Sequence, residues 1–315
     1  MGCRPTQNSR PAMAAIVDSL RFLHIKEIPF GLPYAATTVG GLSSIDYIAD
    51  KDEYVLICDD RSNINPSRFY KAKIQIKADR IESVWFTGMQ YLRQPSAEVF
   101  PSSQKDPAQA ADPESLRFHA RSKKFLWTSE GENSQRSGQN ILLNPWIWFM
   151  DSVGLAKDSF PLPPNLYMRS DDLGPRTNGV LEGSGFSPDG KKLYVSLEEP
   201  LKQDGPRPDN FPQTTWLRFY AFDLKSKRNT AQWAYSPEKI DYPANPIDAF
   251  KVNGISEILP IGNQQFLVVE RAFSTGRASS SVKIFLADAR GATNVKDQLS
   301  LAKTPPEKPM RKKLL

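Results

Sequence analysis

The chain has 315 residues, 39% hydrophobic and 24% charged, which is enough apolar material for a buried core and too much for wholesale disorder. Its formal charge of +6 comes from 41 basic and 35 acidic side chains that are scattered, with no aromatic-and-arginine stripe, so a nucleic-acid partner is not expected. No run approaches the roughly 18 uncharged apolar residues of a membrane span, and 26 prolines against 18 glycines argue for short elements joined by stiff connections rather than a helical bundle.

Met1-Gly2-Cys3 opens a polar segment with three readings. Cys3 is the lipid-bearing cysteine of a bacterial lipoprotein, or Gly2 and Thr6 form a myristoylation pattern, or residues 1–23 are a plain tail. Beyond it a repeat emerges. Gly40–Asp60, Ala111–Gly131, Gly179–Glu199 and Asn253–Phe273 each carry a small or acidic residue, a short apolar strand, a polar turn, and a β-rich strand ending on a carboxylate. The spacing from Ser43 to Asp59, from Glu114 to Glu130 and from Glu182 to Glu198 is 16 residues, whereas Glu257 to Glu270 is 13 because the turn at Ile261-Gly262-Asn263 is tighter. Alternation in Lys192-Leu193-Tyr194-Val195-Ser196-Leu197, after the turn Pro188-Asp189-Gly190, predicts a hairpin in each repeat.

Further strands are predicted at Arg68–Ile76, Ile81–Thr87, Asn144–Met150, Trp216–Leu224, Thr230–Tyr235 and Val282–Ala287. One hairpin plus two strands is a propeller blade. Repeat starts are separated by 71 (43 to 114), 68 (114 to 182) and 75 (182 to 257) residues. Blades of about 40 to 50 residues are usual, so the period near 70 requires insertions, and the prolines collect in them: Pro95–Pro113, Pro161–Pro175 and Pro200–Pro212. The expected fold is an all-β propeller with four legible blades, divided into a tail (1–23), a propeller (24–303) and a basic segment (304–315) that is either a tail or the start of a further blade.

In a propeller, residues repeated at one strand end recur around one rim. Glu114, Glu182 and Glu257 are expected near the axis, with Asp59, Asp60, Glu130, Glu132, Glu198, Glu199 and Glu270 on neighbouring strand ends. Crowded carboxylates repel one another unless a cation or an arginine intervenes, and Arg61 and Arg271 directly follow two of these acids. Such a group suits Ca²⁺, which takes six to eight oxygen ligands, or general acid–base work; capping of turns and pairing with arginine are equally open. The nucleophile signals are weaker. Gly185-Phe186-Ser187-Pro188-Asp189-Gly190 reads as a turn rather than a nucleophile elbow. His119, on a strand beside Phe118, reads as a surface residue, and Cys58, among Val55, Leu56 and Ile57, as a buried structural thiol.

GGLSSIDY with CDDRS and RFY, DPESLRF with LWTSEGE, GVLEGSGFSPDGKKLYVSLEEPL and GISEILPIGNQQFLVVERAFS together resemble the phytase-like family, described as "esterase-like activity of phytase", over roughly residues 24 to 300. The resemblance implies a β-propeller of five or six blades in a complete member, exported or surface-attached in bacteria, that hydrolyses phosphoric esters or phosphodiesters at an acidic site. Family members commonly carry a further acidic segment where this chain reads Lys312-Lys313-Leu314-Leu315, which implies a missing C-terminal blade. The candidate catalytic residues are then Glu114, Glu182, Glu198 and Glu199. Candidate calcium ligands are Asp59, Asp60, Glu130, Glu132, Glu257 and Glu270, and candidate substrate-binding cations are Arg61 and Arg271. The expected partner is a phosphorylated small molecule, and the expected state is an extracytoplasmic monomer. The rival expectation is a non-catalytic extracytoplasmic propeller whose acids only stabilise the blades.

Overall fold

The computed structural model describes residues 17–136, 138–278 and 280–315; both lipidation expectations, at Gly2 and Cys3, lie outside the described residues. A ribbon of β1 (Leu32–Tyr34) and β2 (Thr37–Val39) turns through Ala35 and Ala36, both with positive φ. The first sheet follows as an antiparallel meander of β3 (Leu42–Ile48), β4 (Glu53–Cys58), β5 (Arg68–Lys77) and β6 (Arg80–Tyr91). The second comprises β7 (Pro113–His119) and β8 (Lys124–Ser129), then, beyond a ribbon of β9 (Glu132–Arg136) and β10 (Gln139–Leu143), β11 (Trp146–Met150) and β12 (Ala156–Ser159). The third is β13 (Leu181–Phe186), β14 (Lys192–Leu197), β15 (Leu217–Asp223) and β16 (Asn229–Tyr235). The fourth is β17 (Lys251–Gly262), β18 (Gln265–Ser274), β19 (Ser281–Asp288) and β20 (Arg311–Leu314). The chain is an all-β, four-bladed propeller arrangement, and its only helical turns among the described residues are three short 3₁₀ segments.

Each predicted hairpin is present at its repeat. The ribbon β9–β10 and the strand β12 had no such repeat to announce them. The basic C-terminal segment also departs from expectation: Arg311–Leu314 is neither a tail nor a new blade but pairs antiparallel with β19 as the outer strand of the fourth sheet. Charged residues are common on edge strands because they oppose further strand addition.

Alternation along each strand puts one side chain in two toward a neighbouring sheet, and three cores fill the gaps between successive sheets. Val55, Ile57 and Phe69 meet Leu116, Phe125 and Trp127. Leu126, Ile147 and Phe149 meet Leu181, Val195 and Phe222. Phe219, Trp233 and Tyr235 meet Ile255, Phe266 and Val268. The inner strands stand side by side in the order β3, β7, β13, β17. Buried Arg117 binds them together: its guanidinium donates to the carbonyls of Ile45 and Ser184 and pairs with Glu257. One side chain of β7 thereby reaches β3, β13 and β17. A cavity of about 870 Å³ is lined by residues of all four sheets.

A carboxylate cluster where inner strands begin

An inner strand and its antiparallel partner place the start of one beside the end of the other, so the acids of the repeat gather at a single end of the propeller. A register shift recurs there in every blade: at Leu42/Ser44, Pro113/Leu116, Leu181/Ser184 and Ile255/Glu257. A bulge redirects the side chain it carries; Glu114 and Glu182 sit in two of these bulges, and Ser43 and Ser256 in the others.

Five acids converge. One carboxylate oxygen each from Asp112, Glu114 and Glu130 lie within 4.8 Å of one another, and so do those of Glu130, Glu182 and Glu198, making Glu130 the member common to both triads. Among the described residues, Glu114, Glu182 and Glu198 accept no hydrogen bond and form no ion pair. Glu130 accepts from the Val180 backbone N–H, and Asp112 faces Arg61 at 3.4 Å. Burial and mutual repulsion therefore outweigh the compensation that the Val180 N–H, Arg61 and Arg271 supply. Burial, then Glu182 and Glu130, pushes Glu114 well above the usual carboxylate range. Glu130 is raised by burial, Asp112 and Glu198, and Glu182 by burial, Glu198 and Glu130. Glu198 is raised to about 7 by burial and by Glu199, and Asp112 to about 6 by burial, opposed by Arg61.

Carboxylate oxygens held in two overlapping triads, three of the five acids without a protein partner among the described residues, form a hard donor set that fits a divalent cation. Two chambers open onto it. Glu114, Glu130, Glu182 and Glu198 line the 870 Å³ cavity, while Asp112 and Glu114 line a second of about 400 Å³. Gly41, Asp59, Glu114 and Asn178 form the divide. Gly41 has φ +54° and lies so close to Asp59 that a Cβ would sit 1.9 Å from Oδ1, which explains the glycine.

Residues 37–315 match the family model "Phytase-like: Esterase-like activity of phytase". The chain belongs to the phytase-like family. Among curated proteins nothing matches this phytase-like chain. Solved structures with some likeness include "Structure of Dos1 propeller" (TM-score 0.32, 9% identity, covering 79% of this chain and 57% of that one). Another is "Kuenenia stuttgartiensis Hydrazine Synthase" (0.30, 15%, covering 78% and 65%). The phytase-like chain thus spans less than two thirds of the length of either.

Other predicted residues of the phytase-like site lie apart from the triads. Arg61, expected to bind substrate, lines the smaller chamber and bridges Glu132, at 2.5 Å, and Asp112. Asp60 accepts from the backbone N–H groups of Asn63, Ile64 and Asn65 and from Arg68, closing the loop that follows β4. Glu257 pairs with Arg117 and Glu199 with Arg207, although both line the cavity. Asp59, raised by burial and by Asp60, stands at the divide.

Glu270 corrects the repeat alignment. Ile255 pairs with Glu270 as Leu181 pairs with Leu197, so Glu270 occupies the place of a core leucine and Arg271 the place of Glu198. The shorter hairpin moves the acid by one residue, and one residue turns a side chain to the other face. Glu270 accepts from Tyr235 Oη, the Glu238 backbone, Asn253 Nδ2 and Lys312 Nζ inside the protein. Arg271 is exposed in the cavity, where its charge opposes the upward shifts of Glu182 and Glu198.

Sequence reasoning missed Asp112, Arg117 and Asn178. Asp112 lies two residues before Glu114, the spacing that shares a strand face, but it stands in the proline-rich insertion. Arg117 is a cation inside an otherwise apolar strand. Asn178 has φ +52° and shows no pattern in sequence. His119 is far from the acids, about 16 Å along β7 from Glu114 by strand rise, with Nδ1 at Ser122 Oγ and Nε2 at the Gly190 carbonyl. The Cys58 thiol donates to the Gly40 carbonyl and is raised by burial.

Proposed function

We propose that this phytase-like protein is a calcium-assisted phosphoric-ester hydrolase. The observation that supports it is the pair of triads sharing Glu130, in which Glu114, Glu182 and Glu198 accept no hydrogen bond among the described residues and, with Glu130, open onto a large cavity. Asp112, Glu114, Glu130, Glu182 and Glu198 are the residues that would hold calcium; bound there, the ion would supply Lewis acidity and neutralise phosphate charge. Arg271 reaches the same cavity beside the cluster and would orient an incoming phosphoryl group there. Glu198, raised to about 7 by burial and by Glu199, would serve as the proton-exchanging carboxylate when it is not a ligand.

No helix among the described residues is long and apolar enough to cross a membrane. An extracytoplasmic location suits a site that takes calcium as its ion, since weak sites are filled at the millimolar calcium found outside cells.

The test is phosphate release from p-nitrophenyl phosphate by folded protein, with calcium and with chelator. Calcium-dependent release that disappears in Glu182→Gln supports the assignment. No release in either condition from protein with an intact melting transition overturns it.

A further inference from the structure

The walls of the larger cavity carry a second kind of information. Five of its acids, Glu114, Glu130, Glu182, Glu198 and Glu199, come from the second and third sheets, and Asp59 and Glu257 from the first and fourth. The first and fourth sheets also supply the apolar side chains of the lining, Leu42, Ile45 and Leu56 from one and Phe250, Val252 and Phe273 from the other, beside Ser43, Ser44 and Ser256. Ile45, Phe250 and Phe273 are 47%, 56% and 41% exposed, and the two phenylalanine rings lie 6.2 Å apart. Apolar side chains at such exposure in a concave site are a surface for ligand contact.

The charge inventory is equally one-sided. Among the described residues Arg271 is the single basic side chain lining this cavity, against Asp59, Glu114, Glu130, Glu182, Glu198, Glu199 and Glu257. Its register partner Gly254 has no side chain, and Glu198 fills that space, with Cγ 2.6 Å from where a Cβ would stand. Arg271 is thus held beside the cluster rather than over the apolar side chains. In the smaller chamber the arginines are already engaged, Arg61 by Asp112 and Glu132, and Arg68 by Asp60. A ligand bearing several phosphates would meet one free cation and many carboxylates.

We propose that the substrate carries a single phosphoryl group on an apolar alcohol, with the phosphoryl between Arg271 and the acids and the alcohol between the apolar side chains of the first and fourth sheets. Polyphosphorylated polyols are disfavoured by the same arrangement. This rests on the hydrolase reading above and narrows it. Hydrolysis breaks the bond between phosphorus and the ester oxygen; water supplies the oxygen to phosphorus and a proton to the departing alcohol, so no further reactant is needed.

The experiment compares hexyl phosphate, glycerol 1-phosphate and inositol hexakisphosphate in calcium. The first two have alkyl leaving groups, so intrinsic reactivity does not separate them. We expect kcat/KM for hexyl phosphate to exceed that for glycerol 1-phosphate at least tenfold, carried by KM, and the ratio to collapse toward one in the double variant Phe250→Ser/Phe273→Ser. Turnover without this preference, or with inositol hexakisphosphate as the best substrate, overturns the inference and leaves the hydrolase reading standing. If no ester is turned over, the hydrolase reading fails, and calcium-dependent binding of hexylphosphonate decides the subsite. Binding at least tenfold tighter than inorganic phosphate supports the apolar wall, and equal binding overturns it.

Discussion

The third and fourth blades carry the same hairpin and use it differently. In the third, Leu197 fills the core and the next residue, Glu198, faces the cavity; in the fourth, Glu270 is in the core and the next residue, Arg271, faces the cavity. A carboxylate at a strand end therefore has two fates separated by a single step in the chain. One side chain belongs to a cluster of mutually repelling acids and accepts no hydrogen bond among the described residues, while the other is sealed among four donors. The residue type is the same, and the face of the sheet decides.

Removing the buried member should have the largest effect. Glu270→Ala leaves the hydroxyl of Tyr235 without its acceptor and takes one of two acceptors from Asn253 and from Lys312, which keep the Glu238 carbonyl and carboxylate, and should cost about 3 kcal/mol in denaturant unfolding with no change in calcium affinity. If calcium binding falls as well, the two acids are not separate in function.

Glu130→Gln is the complementary experiment. The amide oxygen still accepts from the Val180 N–H, but both triads lose a charged ligand, so calcium affinity measured by titration calorimetry should fall about 100-fold, the upper range for perturbing a metal site's supporting groups. An unchanged affinity would remove the shared ligand from the scheme.

The cluster also fixes a pH signature. The folded-state values of Asp112 and Glu198, about 6 and about 7, lie above their unfolded values, so the folded protein holds more protons between roughly pH 4 and 7. Stability falls wherever the native state binds the excess protons and pH rises. Metal-free protein should therefore melt several degrees lower at pH 8 than at pH 5.5, and saturating calcium should flatten that slope. A metal-free melting temperature that rises over this interval would contradict the net repulsion.

Arg271→Glu restores to the fourth blade the carboxylate that the third has. It should tighten calcium binding about tenfold, by one charge-pair contribution of about 1.4 kcal/mol, while weakening hexylphosphonate binding. Loss of calcium affinity would place Arg271 in support of the cluster rather than opposite it. The smallest effect is expected for Glu199→Gln: its carboxylate is engaged by Arg207, so calcium affinity should change less than about threefold, as for a partly exposed ion pair.

Much of the architecture was legible because strand patterning is local. Alternation over Lys192–Leu197, a turn at Pro188-Asp189-Gly190, and a spacing of 16 residues repeated three times specify hairpins without reference to the rest of the chain. The same spacing marked Glu114, Glu130, Glu182 and Glu198, all members of the cluster. Asp112 was hidden because the residues before it follow no period, and its position depends on where a long loop rejoins the propeller.

By itself the amino-acid sequence determined the four hairpins, the proline-rich connections and a supply of acids at strand ends, since these depend on side-chain size, polarity and backbone preference over a few residues. Only the tertiary structure decided which acids meet, that Arg61 bridges Asp112 and Glu132, that Arg117 links the inner strands, and that Glu270 turns inward while Arg271 turns outward. Those outcomes depend on strand register and on distances between segments tens of residues apart, where one step of the pleat exchanges the core for the cavity.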